Sequence, residues 1–287
     1  PDLVIFRYWM PFMAPCLGTI ARLINKNKHS TCVAITDNII PHEKRIGDKQ
    51  LTSYFLKPIK AFVAMSRSVL EDISLFTNSK SKKYVPHPLY DSFGKSVDKA
   101  LAKKHLGLDF KTNYLLFFGF IRAYKGLDLL LDSLSLVDLS KWSCKLLIAG
   151  EFYDNSAIYL QKIKNLGLTD FVELHTDFIP NDQVPYYFSA VDMVVQTYKT
   201  ATQSGVTQVA YYYAKPMLVT DVGGLAELVS DQKVGYVCPR DKNEIALAIT
   251  NFYELNRESE MSANAKVEGQ KYAWDVFVKE LKKFTNG

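Results

Sequence analysis

The chain has no apolar run approaching the ~18 residues that cross a bilayer, and no charged segment precedes an apolar core at its start. Neither a spanning helix nor a signal peptide is therefore read here, and a cytoplasmic location is expected. Only four cysteines occur, Cys16, Cys32, Cys144 and Cys238, and no two form a CxxC pair. That spacing builds neither a zinc site nor a disulfide framework and predicts reduced, packed thiols. There is no Walker loop, GxSxG elbow or Ser-His-Asp order, and no DxD pair sets two carboxylates one residue apart for a divalent cation. No metal and no resident cofactor are expected. Strong charge of one sign is also lacking: the net charge of +5 is modest and spread out, so no nucleic-acid partner is expected. The runs at 80–83 and 99–104 are basic, and solvated surface explains them more simply than attraction to phosphorylated substrates or an anionic membrane face.

What is present is a chain of 287 residues, 48% hydrophobic and 23% charged, able to bury one large or two medium cores. Two domains are the better expectation. The chain opens at Pro1 directly into a buried-type strand at 2–6, which predicts that the start of a larger first domain is absent. A helical pattern at 14–26 and a strand at 31–36 follow, an order that implies a parallel pair with a right-handed crossover. Asp37, His42 and Glu43 lie in the loop leaving that strand's carboxyl end. They are the candidate acid or base groups, although a lone loop histidine is more often structural. A helix at 51–56, a strand at 61–65 and a helix at 68–76 lead to Val85-Pro86-His87-Pro88, which reads as an interdomain linker.

The second domain opens with a buried strand at 114–118, a loop from Gly119 to Gly126 carrying Arg122 and Lys125, and an amphipathic helix at 127–136. Strands at 144–149, 172–174 and 191–196 alternate with helices at 157–166 and 182–189, the pattern of a parallel, doubly wound sheet. The stretch from Gln203 to Gly224 organises the rest. Gln203, Ser204 and Gly205 bring a capping hydroxyl and a glycine to the start of a helix, Lys215-Pro216 stops it, 217–220 is a strand, and Gly223-Gly224 turns. A helix end beside a strand's carboxyl end attracts anions, and Arg122 and Lys125 lie in the comparable earlier loop; together they can hold a diphosphate. Glu227 can accept a bond from a ribose or cap Ala226 and its helix, the latter being favoured. Tyr211, Tyr212 and Tyr213 fall on successive helix faces and read mostly as packing. Further helices are expected at 226–229 and 244–252.

These motifs resemble the retaining GT-B glycosyltransferases of family 4, also called group 1. The residues that carry the resemblance are FFGFIRAYKGLDLLLDSL at 117–134, KLLIAGE at 145–151, FIPNDQVPYYFSAVDMVVQTY at 178–198 and SGVTQVAYYYAKPMLVTDVGGLAELV at 204–229, in the family's order. DNIIPHEKR at 37–45 and VPHPLYDSF at 85–93 look like its acceptor-domain loop and linker. The resemblance implies an α/β protein of two Rossmann-like domains with parallel sheets facing across a cleft. Residues 1–88 would be the remainder of the acceptor domain, 89–270 the donor domain, and 271–287 a helix packing back on the first.

By the same resemblance Arg122 and Lys125 would neutralise the diphosphate of a UDP- or GDP-linked sugar, beside Gly119 and the amides of Ser204, Gly205 and Val206. The implied activity is metal-independent, retaining hexosyl transfer to a saccharide or lipid-linked acceptor in polysaccharide or glycoconjugate synthesis, by a peripheral visitor to the inner face of the plasma membrane. The family often carries two glutamates flanking seven residues, where this chain has Ala201 or Thr202 and Val209. An arginine that commonly follows the first loop's glycine is Phe120 here. Those departures keep open a noncatalytic nucleotide- or glycan-binding protein, while a nucleotide-sugar epimerase of the same architecture would need acid and base groups that the donor domain lacks.

Overall fold

Short buried strands alternating with amphipathic helices give two parallel sheets. The computed structural model describes residues 1–41, 45–78 and 81–286, in two units: Pro1–Pro88 with Tyr272–Gly287, and Leu89–Lys271.

In the first unit, β1 (Leu3–Tyr8), α1 (Ala14–Asn25), β2 (Thr31–Thr36), α2 (Asp48–Leu56), β3 (Ala61–Ala64), α3 (Arg67–Ser74) and β4 (Lys82–Tyr84) follow in turn. The strands form a parallel sheet in the order β1-β2-β3-β4, with Leu3 opposite Thr31 and Val33 opposite Ala61. One face buries Phe6, Tyr8, Ala34 and Phe62 against Phe55 of α2 and Ile73 of α3, and Tyr8 stacks on Phe55 at 4.3 Å. The other face, built from Val33, Val63, Met65 and Val85, is covered by Phe277 and Leu281 of the C-terminal helix, Trp274–Asn286. Burial of two large apolar side chains is worth about 1.5–3 kcal/mol each, so this helix is held by its apolar stripe. Ser66 starts α3 by accepting from the amide of Val69 at 3.2 Å.

The second unit contains α4 (Lys99–His105), β5 (Asn113–Phe118), α5 (Leu127–Leu134), β6 (Cys144–Ala149), α6 (Ser156–Asn165), β7 (Val172–His175), α7 (Val184–Ala190) and β8 (Met193–Gln196). It continues with α8 (Gly205–Tyr212), β9 (Met217–Thr220), α9 (Gly223–Ala226), β10 (Gly235–Cys238), α10 (Lys242–Glu254) and α11 (Glu258–Gly269). Six parallel strands lie in the order β10-β9-β8-β5-β6-β7. The chain therefore runs outward from β5 to β7 on one side, then returns to β8 and runs outward on the other. From β5 and β8 the chain proceeds to opposite edges of the sheet, and such a switch point is where an open α/β sheet makes its crevice. Leu130 and Leu131 of α5 pack with Ile245 and Ile249 of α10 and with Leu115, Leu146 and Ile148 of the sheet.

β4, α4, β10 and α11 were not anticipated. The basic run at 99–104 is α4, and it is not simply solvated surface. Lys103 is buried and donates to Thr112 O at 2.7 Å, while Lys99 bonds both Asp192 and Glu258. The run looked superficial because its partners are up to 159 residues away in the sequence. Among the described residues no helix is long and apolar enough to cross a membrane, no group of three metal-ligating side chains converges, and the four cysteines are free thiols, Cys16 exposed and the others buried.

Candidate functional site

At the switch point two loops are welded together. Gly126 closes the loop after β5 with φ +70°, and a Cβ there would come within 2.0 Å of Thr197 O in the loop after β8. Only glycine allows that approach, and Thr197 Oγ1 seals it by donating to Gly126 O at 2.8 Å. Farther back, Ala123 N donates to Asp154 Oδ2 at 2.7 Å. The segment carrying Lys125 is thus fixed at both sides before any ligand arrives.

A pocket of about 340 Å³ opens between these loops and the start of α8. Gly119, Lys125, Gln203, Ser204, Gly205 and Val206 all line it, together with Val209 and six aromatic residues, Tyr90, Phe93, Phe118, Phe120, Tyr124 and Tyr198. Lys125 is only 8% exposed; its Nζ donates to Phe118 O at 3.3 Å and lies 5.8 Å from the Tyr198 ring centre. Burial brings its pKa down to about 8, and the charge of Arg122 acts in the same direction. A buried ammonium with one weak carbonyl partner is short of anionic company.

Ser204 occupies the N-cap position of α8, but its side chain does not cap the helix. The hydroxyl turns inward and donates to Gln196 Oε1 at 2.7 Å, correcting the expectation that it would satisfy a helix amide. The amides of Gly205, Val206 and Thr207 consequently have no hydrogen-bond acceptor among the described residues. Of these, Gly205 and Val206 line the same pocket as the Lys125 ammonium, at the positive end of the helix dipole.

The other predicted residues lie elsewhere. Arg122 is outside the pocket lining, and its guanidinium lies 3.7 Å from the ring centre of Tyr153. Glu227 is exposed at the C-cap of α9, so it ends that helix instead of beginning it. Val209, at a position where the resemblance anticipates a carboxylate, puts an apolar side chain into the pocket. Tyr211 and Tyr213 are buried, and their hydroxyls donate to Leu228 O and, at 2.9 Å, to Gly94 O. In the first unit Asp37 accepts two bonds from Arg7, at 2.8 and 3.2 Å. His87 adjoins the same guanidinium at 3.4 Å, is 7% exposed and has its pKa lowered by burial. His42 and Glu43 lie outside the described residues.

Sequence reasoning missed Gln196, Tyr198 and the aromatic wall. The aromatic residues come from three separate segments, 90–93, 118–124 and 198, and nothing in the spacing of those segments brings them together. A second depression of about 320 Å³ lies beyond the carboxyl end of β7, lined by His175, Asp177, Phe178 and Gln183 among others.

Residues 112–254, about half of the chain, match the family described as Glycosyl transferases group 1. The D-inositol 3-phosphate glycosyltransferase of Segniliparus rotundus is 30% identical over 141 residues, covering 48% of this chain and 31% of that protein. The lipopolysaccharide core biosynthesis mannosyltransferase LpsB of Rhizobium meliloti is 28% identical over 158 residues, 52% of this chain and 43% of its own length. The chain thus spans between about a third and a half of these curated relatives. Among solved structures, Anabaena HepE in complex with UDP superposes with a TM-score of 0.80 at 17% identity, over 99% of this chain and 78% of that one. A sucrose-phosphate synthase from Thermosynechococcus elongatus gives 0.77 at 15% identity, over 99% and 73%. These likenesses show the α/β, parallel-sheet fold of the GT-B glycosyltransferases. Through residues 112–254, the matched part of its second unit, the chain belongs to the group 1 glycosyltransferase family.

Proposed function

We propose that the protein transfers a hexose from a nucleotide diphosphate sugar to a saccharide or lipid-linked acceptor, with retention and without a metal. The observation that carries this reading is the meeting of Lys125, a buried ammonium, with the uncapped start of α8 in one pocket at the sheet's switch point. As the sugar–phosphate bond breaks, negative charge grows on the departing diphosphate. Donors fixed in advance stabilise that charge without reorganising, which lowers the barrier more than it tightens ground-state binding. Lys125 and the Gly205 and Val206 amides are such donors. Retention follows if the acceptor attacks on the face from which the diphosphate leaves, a course that requires no protein nucleophile.

Arg122 reaches the diphosphate only by leaving Tyr153. A cation–π contact at an exposed site is worth about 0.5–1 kcal/mol and a charge-assisted bond about 1.5–3 kcal/mol, so the exchange is favourable once an anion is present. The depression beside Phe178 is the place for the base, with an exposed ring to stack on and His175 and Gln183 to hydrogen-bond. The recognised donor is then UDP- or GDP-linked, and association with a membrane face would be peripheral.

Titration with UDP, GDP and ADP, each with and without Mg²⁺, tests the reading. Binding of one of them regardless of the metal, weakened by ~1.5–3 kcal/mol in Lys125→Met, is the expected result. Unchanged affinity in a folded Lys125→Met protein would remove the phosphate assignment.

The second reading is a protein of this fold that binds a nucleotide or glycan without turning it over. Val209 in the pocket favours it, as does the double hydrogen bond that engages both carboxylate oxygens of Asp37 with Arg7. Release of free sugar or glycosylated product from a bound donor decides between the two.

A further inference from the structure

A buried hydroxyl network lies beneath the first turn of α8. Ser204 has the extended backbone of an N-cap, φ −134° and ψ 124°, from which a serine oxygen ordinarily accepts a bond from the second or third helical amide. Its hydroxyl is drawn the other way. It donates to Gln196 Oε1 at 2.7 Å and shares a 3.2 Å bond with the Tyr198 hydroxyl. Thr207, one turn into the helix, donates through Oγ1 to the same Gln196 Oε1 at 3.1 Å. Gln196 is 1% exposed, Thr207 0%, Tyr198 4% and Ser204 6%, so water does not compete for these bonds. The other end of the amide, Gln196 Nε2, has no partner among the described residues; only the acceptor end is used.

A serine cap and a phosphate compete for the same amide hydrogens, because both supply oxygens to the first turn of a helix. Resting on the reading of this pocket as the diphosphate site, we propose that Gln196 is a positioning residue that keeps the α8 amides available to the diphosphate by holding the Ser204 hydroxyl in the core. Thr207 anchors the acceptor from the helix side, so the amide oxygen bridges the N-cap residue and the first helical turn. Gln196 itself touches no ligand in this scheme. Its position as the last residue of β8 suits the task, since that strand end leads directly into the loop that delivers Ser204.

The test measures binding of UDP and GDP, and of UMP and GMP, to the full chain. Gln196→Met keeps the side chain's length and removes its acceptor, freeing Ser204 to cap α8. Affinity for the bound diphosphate should fall about tenfold, the equilibrium equivalent of one N-cap interaction, with a smaller fall for the monophosphate. Adding Ser204→Ala to Gln196→Met removes the competing oxygen and should recover most of the lost affinity, which repair of a merely structural defect would not do. Should Gln196→Met fail to fold, Gln196→Asn, whose acceptor is one methylene short, is expected to show the same loss and the same recovery. Parental affinity in the single variant, or a double variant no better than the single, overturns the proposal while leaving the donor site standing. Failure of the parent to bind either diphosphate overturns the donor-site reading, and this proposal with it.

Discussion

Lys125 presents its pocket with an ammonium that burial has brought to a pKa of about 8, so at pH 8 the empty site carries that charge about half the time. A bound diphosphate favours the charged form, and binding above pH 8 must therefore take up a proton. Nucleotide affinity is expected to fall about twofold between pH 7 and 8 and more steeply beyond it, by up to about tenfold per unit. Calorimetry in two buffers of different ionisation enthalpy would read both the affinity and the proton taken up. Affinity independent of pH from 7 to 9.5 would assign the phosphate to other groups. Gly119 makes a related prediction. It sits at φ +87°, and a Cβ there would lie 3.0 Å from Lys125 Nζ. Gly119→Ala should lower stability by about 1–2 kcal/mol through the left-handed backbone and weaken diphosphate binding by displacing the ammonium. A melting curve and a titration on the same sample separate the two effects.

At the scale of elements, the short α4 is held by charge. Lys99 bonds Asp192, whose other oxygen accepts from Tyr114 N at 2.7 Å and from the Tyr253 hydroxyl at 3.3 Å. Asp192 has a side chain 1% exposed, and Asp192→Ala would leave the Tyr114 amide and the Tyr253 hydroxyl without this acceptor and Lys99 with Glu258 alone. A loss of about 1.5–3 kcal/mol is expected in urea unfolding. By contrast Asp241→Ala should cost only ~1 kcal/mol, because it removes a single cap, in which Asp241 accepts from Asn243 N at 2.8 Å and Glu244 N at 3.2 Å.

These elements also show what the sequence could and could not tell. β5, β6 and α5 were legible because apolar runs and periodicity are local signals, and Lys125 stood out in the loop that such a strand must feed. α11 has few apolar positions, and Val267, one of them, is exposed, so no stripe announced it. β10 begins with Gly235, a residue depleted in strands. The partners of Lys99 and the inward turn of Ser204 depend on contacts made only after the sheet is assembled, and no spacing rule reaches them. Arg122 looked equivalent to Lys125 because both are cations in one loop. Burial distinguishes them: Lys125 is 8% exposed and lines the pocket, whereas Arg122 lies over the exposed Tyr153 ring.

At the scale of the whole molecule, a buried and a half-buried lysine contribute to the alkaline behaviour. Lys125 and Lys215 both have pKa values lowered to about 8, chiefly by burial; Lys215 Nζ donates to Val191 O at 2.7 Å. A lowered lysine pKa means that the unfolded chain holds the proton more tightly. The destabilisation is therefore fully present below pH 8 and is relieved as pH rises from 8 toward the ordinary lysine value. These two groups predict greater stability at pH 9 than at pH 7.5, measurable in urea. The division into two units predicts that residues 89–271, expressed alone, fold and bind the diphosphate, since their main core and the pocket lining lie wholly inside that segment.

The C-terminal helix belongs to the first unit, with Phe277 and Leu281 closing the sheet face made by Val33, Val63 and Met65. The second unit is thus an insertion in the first along the chain. During synthesis the inserted residues 89–271 leave the ribosome while that sheet face still lacks its cover. The unit begun first is therefore the last to be closed, and until residues 274–286 emerge its exposed valines are the surface on which a chaperone would be expected to act.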